Sequence, residues 1–328
     1  MNYEKEGISG KILKFIGSLQ IMIVFILMFL LLSIFVPRFF SAGNLLNLPK
    51  QFALNLVLAT TMTILIISGE FDISVGAVLC LSGFCSLFAM NAYGIFAGVV
   101  AALAAGFCAG LINGIITIKG NVPSFIATLG MMMTCRVLSY VVSGGFSNVI
   151  RDKSFAALSQ GDILGIPNLL FIVIIAYALM FTLLHRTKFG QYIFAVGSNK
   201  TAAALSGINV DRIKIAAFSL NGLMAGFGAL LTNSRVMAIH PDSGTGIEFE
   251  VIAGVVIGGT SIYGGEGNVL LSIAGVLVVG FIRNALNLTR VDVLWNQVIT
   301  GVVILAAVLI DSLRRSIQRR LEERAYMK

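Results

Sequence analysis

Ten runs of apolar residues dominate this chain, at 19–36, 52–68, 73–90, 95–118, 125–143, 169–184, 213–231, 249–262, 269–288 and 294–310. A helix needs about 20 such residues to cross a bilayer core. Most of the runs come close to that length, so the chain reads as an all-α polytopic membrane protein with about ten transmembrane helices. The first run has no small-residue cleavage pattern before Pro37-Arg38 and reads as a retained helix rather than a removed signal peptide. Two runs, 249–262 and 169–184, are short, and several are interrupted by glycine. Such segments are tolerated where protein covers the backbone or where it lines a water-filled cavity. The glycine-rich stretches 254–259 and 264–267 suggest a tight re-entry and close helix packing.

Composition agrees with that reading. Hydrophobic residues make up 57% of the 328 and charged residues only 12%, against about a quarter charged in soluble domains. No soluble domain boundary or low-complexity tract interrupts the chain, which reads as one membrane domain over 1–328. The net charge of +8 does not imply nucleic acid, because the basic residues gather at the ends of apolar runs, where they set topology and meet anionic lipid headgroups. With the N-terminus inside, fifteen of the 23 basic residues lie in inside segments and six in outside ones, while Arg136 and Arg283 fall within spans. The positive-inside tendency therefore places both termini in the cytoplasm, including a basic tail over 311–328.

The longest polar interval between spans, 185–214, carries Arg186, Lys188, Lys200, Arg212 and Lys214 against one acid, Asp211. It falls on the cytoplasmic side. Within it, Ala202 to Leu205 favour a short helix, Gly207 suits a left-handed C-terminal cap, and Gly190 and Gly197 permit turns beforehand. This describes either a surface helix suited to docking on another protein or an ordinary basic loop, and the residues alone leave both open.

Several kinds of chemistry lack their residues. The nearest approach to a phosphate-cradling loop, Ala195 to Thr201, lacks both required glycines. His185 and His240 stand far apart without partners at ligand spacing, so no metal or nucleophilic site is expected. Cys80, Cys85, Cys108 and Cys135 all lie inside apolar runs and form no disulfide framework. Glu70, Asp72, Glu248, Glu250 and Asp311 fall near span ends, whereas an ion-coupled carrier often places carboxylates at mid-membrane.

In the turn 68–76, Asp72 or Ser74 can cap the helix that follows. Arg136 lies well inside a span, where a guanidinium must face a polar interior or a partner. Arg283 with Asn284 and Asn287 makes a second polar patch, the two asparagines sharing a face at i, i+3. Asn113 and Asn221 are further candidates. Each asparagine alone is explained by an interhelical hydrogen bond, while the patches together suggest a hydrophilic path.

Four ordered segments, GEFDISVGAV (69–78), GLINGIITIKGNVPSFIATLGMMM (110–133), FGQYIFAVGSNKTAAALSGINV (189–210) and VIGGTSIYGGEGNVLLSIAGVLVVGFIRNALNL (256–288), resemble the membrane permease subunits of ribose-type ABC carbohydrate importers. The resemblance covers nearly the whole chain. It implies a type II importer-like permease of the bacterial inner membrane, working as a homo- or heterodimer with a second permease subunit. It also implies a cytoplasmic ABC ATPase, which would use the ATP and magnesium, and an extracytoplasmic sugar-binding protein; no cofactor is expected in this chain. Gly190, Asn199, Ala203, Ala204, Gly207 and Ile208 match the family's ATPase-coupling loop. Gly69, Asp72, Ser74 and Gly76 match its Gly-x-x-Asp-x-Ser-x-Gly turn, in which Glu70 departs from the usual small residue. Arg136 and Asn284 match polar positions, whereas a path role for Arg283 rests on its burial cost alone. The implied function is import of a monosaccharide, ribose or similar, by alternating access. An ABC permease for another solute such as an autoinducer, an ion-coupled carrier and a membrane enzyme are the alternatives.

Overall fold

A computed structural model describes residues 8–289, with side chains from Ile21 onward, and isolated helical positions between 295 and 309. The described residues are mostly helical. The helices in chain order are α1 (Ile8–Phe35), α2 (Ala42–Ile67), α3 (Val75–Tyr93), α4 (Ile95–Lys119), α5 (Ser124–Ser143), the short α6 (Ala157–Gln160), α7 (Asn168–Arg186), α8 (Lys188–Ser198), α9 (Lys200–Leu205), α10 (Val210–Val236), α11 (Ile247–Ile257) and α12 (Val269–Leu288). Seven of them, α2, α3, α4, α5, α7, α10 and α12, are long and apolar enough to cross a membrane. In α1 the described apolar part runs over Ile21–Phe35. The expected tenth span at 294–310 and the tail at 311–328 lie outside the fully described residues.

Two expectations about span length need correction. The segment 169–184 is not short, since α7 runs from Asn168 to Arg186. The expected span 249–262 is not a continuous membrane-crossing helix. α11 has 11 residues, about 16 Å of helix at 1.5 Å per residue, roughly half a bilayer core. Gly258 closes it, and Gly259, Gly264 and Gly265 take positive φ in the turn leading to α12.

Burial divides the helices into two groups. Most of α2, α3, α10 and α12 is interior, whereas α4, α5 and α7 expose large apolar side chains such as Ile112, Val137, Ile174 and Leu179. Phe281 of α12 gathers Phe25 and Phe29 of α1, Phe39 and Phe52, at ring-centroid separations of 5.4, 5.7, 5.7 and 6.1 Å. This aromatic knot holds α1 against the bundle.

Among the described residues the most extensive helix pairing is α4 with α10. Gly106, Gly110 and Gly114 recur every fourth residue along one face of α4 and meet Gly222, Gly226, Ile215 and Phe218 of α10. A Cβ at Gly110 would stand 3.0 Å from Gly222 Cα. In lipid, where neighbouring helices gain nothing by excluding water from each other, such backbone contact is what holds them together.

The two ends of the bundle differ. At one end lie the turn 68–74, the α4–α5 connection, the segment 187–209 and the turn 258–268. At the other end the α5–α7 connection is tied to the end of α10: β1 (Asn148–Val149) pairs antiparallel with β4 (Ala238–Ile239), with Asn148 opposite Ile239. Ser159 also donates its hydroxyl to Leu231 O and its N–H to Ser234 Oγ. A small hairpin of β2 (Asp162–Ile163) and β3 (Ile166–Pro167) completes that face.

Candidate functional site

Three successive helix starts in the segment 187–214 are capped by their own side chains. Thr187 accepts from Gly190 N–H, Asn199 from Ala202 N–H and Asn209 from Arg212 N–H. Caps this closely spaced allow α8 and α9 to exist as short helices with sharp corners between them. At the end of α9, Gly207 has φ +83°, its N–H reaches Ala204 O at 3.0 Å and Ile208 N–H reaches Ala203 O at 3.1 Å. This is the double-bonded left-handed helix stop, usually sealed by an apolar contact across it. Ala203 and Ile208 supply that contact in a small cluster with Val196 and Val210. Ala204 and Leu205 are left pointing outward; Leu205 is 86% exposed, and sequence reasoning did not single it out.

Gly190 and Gly197 do not make turns, because both lie inside α8. They are sites of close approach instead: Gly190 packs on the Leu184 carbonyl, and Gly197 packs on the Ile67 carbonyl, with Gly265 N also in contact range. Gly265 N–H donates to the same Ile67 O at 2.8 Å. The outward-facing helix pair is therefore seated directly on the end of α2.

From that seat the turn 68–76 climbs into the bundle. Gly69 takes φ +83°. Asp72 is buried, and its Oδ1 accepts both the N–H and the hydroxyl of Ser74. Neither residue caps α3 by a side-chain bond to it, contrary to expectation; Asp72 instead closes a local turn and reaches across to α10. Its Oδ2 accepts from Asn221 Nδ2 at 3.0 Å, Asn221 Oδ1 accepts from Thr61, and Asn113 of α4 donates to Ser74 Oγ at 2.9 Å. Asn113 and Asn221 are thus buried ties between helices.

Carboxylates expected near span ends lie deep in the bundle. Asn221 is near the middle of α10, and Asp72 is bonded to it. Glu250 bonds Asn55, near the middle of α2, at 2.7 Å and Arg283 at 2.6 Å. Glu248, buried at the start of α11, accepts from Gly246 N–H. These carboxylates fall at helix ends as expected, but the helices α3 and α11 themselves begin inside the bundle.

The segment 240–246 reaches the same depth from the opposite end. Gly244 packs on Gly76, where no side chain would fit on either residue. Arg136 holds this segment: its Nη1 donates to Pro241 O at 2.7 Å and to Ser243 O at 2.9 Å. The partner required by a guanidinium within a span is a pair of backbone carbonyls. Tyr140, one turn further along α5, donates to Asp242. Asn284 is buried and exchanges hydrogen bonds with Asn44 and donates to Gln51, whereas Asn287 is exposed, so only one of that pair faces inward.

Glu70, unexplained from sequence, pairs with Lys214 Nζ at 2.6 Å, with side chains 13% and 9% exposed. No signal in the sequence joins residues 144 positions apart.

Comparison with known proteins gives these elements a family. Residues 44–308 match the family described as "Branched-chain amino acid transport system / permease component". The chain is 38% identical over 301 residues to the ribose import permease protein RbsC of Escherichia coli (strain K12), covering 89% of this chain and 92% of the relative. It is 37% identical over 314 residues to RbsC of Bacillus subtilis (strain 168), covering 93% and 94%. It is 33% identical over 299 residues to the L-arabinose transport system permease protein AraH of Escherichia coli (strain K12), covering 91% of each. No solved structure matches at a comparable level. Seven apolar spans, an outward-facing capped helix pair and a match running through nearly the whole bundle place this chain in that permease-component family.

Proposed function

We propose that this chain is the membrane-spanning subunit of an ATP-driven bacterial importer for a monosaccharide such as ribose or arabinose. The observation that carries the reading is similarity over about nine-tenths of both chains to permeases named for those sugars. The end that holds α8 and α9 faces the cytoplasm, where the basic residues of 185–214 concentrate, and both termini lie on that side. About ten crossings result when the segment 240–246 and α11 together make one of them and 294–310 makes the last. A cytoplasmic ATPase docks on α9, with Ala204 and Leu205 toward it, and supplies all ATP and magnesium chemistry. A loaded sugar-binding protein docks over the connections 144–168 and 232–248, which β1 and β4 join.

Asn113, Asn221 and Asn284 are closed off within one protomer, so a hydrophilic route is completed with a second permease subunit. On this side Arg136 shapes the route by holding the 240–246 segment, and Arg283 and Asn287 sit at its outer end. The mid-depth carboxylates do not favour an ion-coupled carrier, since Asp72 is held by Ser74 and Asn221, and Glu250 by Arg283 and Asn55.

Purification of the tagged chain in mild detergent, followed by reconstitution of what accompanies it, tests the proposal. A stoichiometric ATPase and ATP-dependent uptake of labelled ribose or arabinose are expected. Uptake driven by an ion gradient without ATP refutes it. Ala204→Glu with Leu205→Glu should leave the protein in the membrane yet abolish uptake; unchanged uptake removes α9 from the docking surface.

A further inference from the structure

The two ion pairs near the docking segment differ in kind. Lys119–Asp211 is a surface contact, with side chains 63% and 41% exposed, and such pairs contribute little. Glu70–Lys214 is nearly closed to solvent. Burying two charges gains little over apolar packing, but losing one partner strands the other in a medium that cannot solvate it. A buried pair therefore suits a place where two elements must keep one register.

The elements joined here are informative. Lys214 lies in the first turns of α10, directly after α9 and its Gly207 stop, so it moves with the docking segment. Glu70 lies in the turn 68–76, whose lower edge rests on α8 through Ile67 and Gly197. The upper part of that turn binds Asn221 and Asn113 and ends at Gly76, in backbone contact with Gly244. Gly244 belongs to the segment that Arg136 grips through Pro241 and Ser243. A contiguous chain of ion pair, hydrogen bonds and backbone contact thus runs from the docking segment to the loop of the opposite face.

We propose that Glu70 and Lys214 are positioning residues for energy coupling: their ion pair makes the turn 68–76 follow the docking segment, and the Gly76–Gly244 contact passes that movement to the 240–246 segment. This rests on the importer reading. Packed side chains, hydrogen bonds and ion pairs with two discrete arrangements can carry energetic coupling between distant sites, and this turn is the element both ends touch.

The test uses the assembled complex of permease, ATPase and binding protein in liposomes. The permease is cysteine-free apart from Thr245→Cys, which places a thiol on the exposed part of the 240–246 segment. Three quantities are read: ATP hydrolysis, sugar uptake, and the rate at which a membrane-impermeant maleimide labels that thiol with and without vanadate-trapped nucleotide. In the parent the nucleotide changes the labelling rate on the order of tenfold, as a typical intersite coupling would. Glu70→Gln with Lys214→Gln removes both charges without stranding either. It should hydrolyse ATP within about twofold of the parent, lose the labelling response, and take up sugar about tenfold more slowly. The exchange Glu70→Lys with Lys214→Glu should restore at least about half of the response.

A neutral double variant that keeps both the labelling response and the uptake overturns the proposal. So does failure of both double variants to assemble, which makes the pair a folding element. An unaltered permease that shows no ATP-dependent uptake in the same complex refutes the importer reading itself, and the link with it.

Discussion

Gly222→Ala is the sharpest probe of how this bundle is held. An alanine Cβ at 222 would stand 2.7 Å from Gly110 Cα and N, and closer still to the Gly106 carbonyl oxygen, whereas ordinary contact begins at 3.4 Å. All three obstacles are backbone, so no rotamer change relieves them. The α4–α10 seam has to open by roughly 0.7 Å or more, and a close-packed interior resists that because its neighbours have nowhere to go. Overpacking of this kind costs about 1–3 kcal/mol, with rigid obstacles favouring the upper end.

The opposing effect is intrinsic. Alanine is better than glycine in a helix by about 1 kcal/mol, so the net loss at 222 is on the order of 1–2 kcal/mol. Gly130 of α5 isolates that opposing effect, because nothing lies within 4 Å of its would-be Cβ. Gly130→Ala should leave stability unchanged or raise it slightly. The two variants are thus separated by about 1–3 kcal/mol, or roughly 3–10 °C in melting temperature for a chain of this size. Purified protein heated in detergent and assayed for the monodisperse fraction by size exclusion reads that difference. Melting points within about 2 °C of each other refute the view that backbone contact between α4 and α10 holds the core.

Asn221→Leu leaves the buried Asp72 without its α10 partner, and stranding such a group costs about 1–3 kcal/mol; the same heating assay should show a loss of several degrees, and a parental melting point contradicts the tie. Arg136→Gln frees the Pro241 and Ser243 carbonyls, so the thiol of Thr245→Cys should label faster from outside while the bundle melts normally; unchanged labelling removes the clamp. Lys119→Ala breaks only an exposed ion pair and should shift stability by no more than about 0.5 kcal/mol; a larger loss would mean that the α4–α5 corner depends on it.

What could be read from sequence follows from what lipid forbids. Charge is expensive in hydrocarbon, so the apolar runs announced α2, α3, α4, α5, α7, α10 and α12, and the polar interval 185–214 announced a segment lying outside the spans. The same rule is silent about where a helix stops inside protein. Residues 249–262 are apolar whether they make a full crossing or, as here, a half-length helix and a glycine turn. Asp72 and Glu248 stand at the ends of apolar runs, but those ends lie inside the bundle, which the runs alone do not reveal. Gly190 and Gly197 read as turn residues because sequence does not distinguish a glycine that bends from one that admits a neighbouring carbonyl. Glu70 and Lys214 meet only through the tertiary fold.

The arrangement also limits where movement can occur. α4 and α10 touch backbone to backbone over Gly106, Gly110, Gly222 and Gly226, so sliding them would cost contacts along the whole seam and they move as one body. α5 is attached differently. Apart from its start near Phe71 and Ile73, the hydrogen bonds that tie it across to the opposite-face loop come from Arg136 and Tyr140, and much of its surface is exposed. Packed interiors switch between discrete arrangements rather than deform smoothly. In the proposed alternating access, movement in this protomer is confined to the side bounded by α5 and 240–246, against an α4–α10 body. The turn 68–76 stands between them, bonded to that body through Asn221 and Asn113 and touching the mobile side through Gly76.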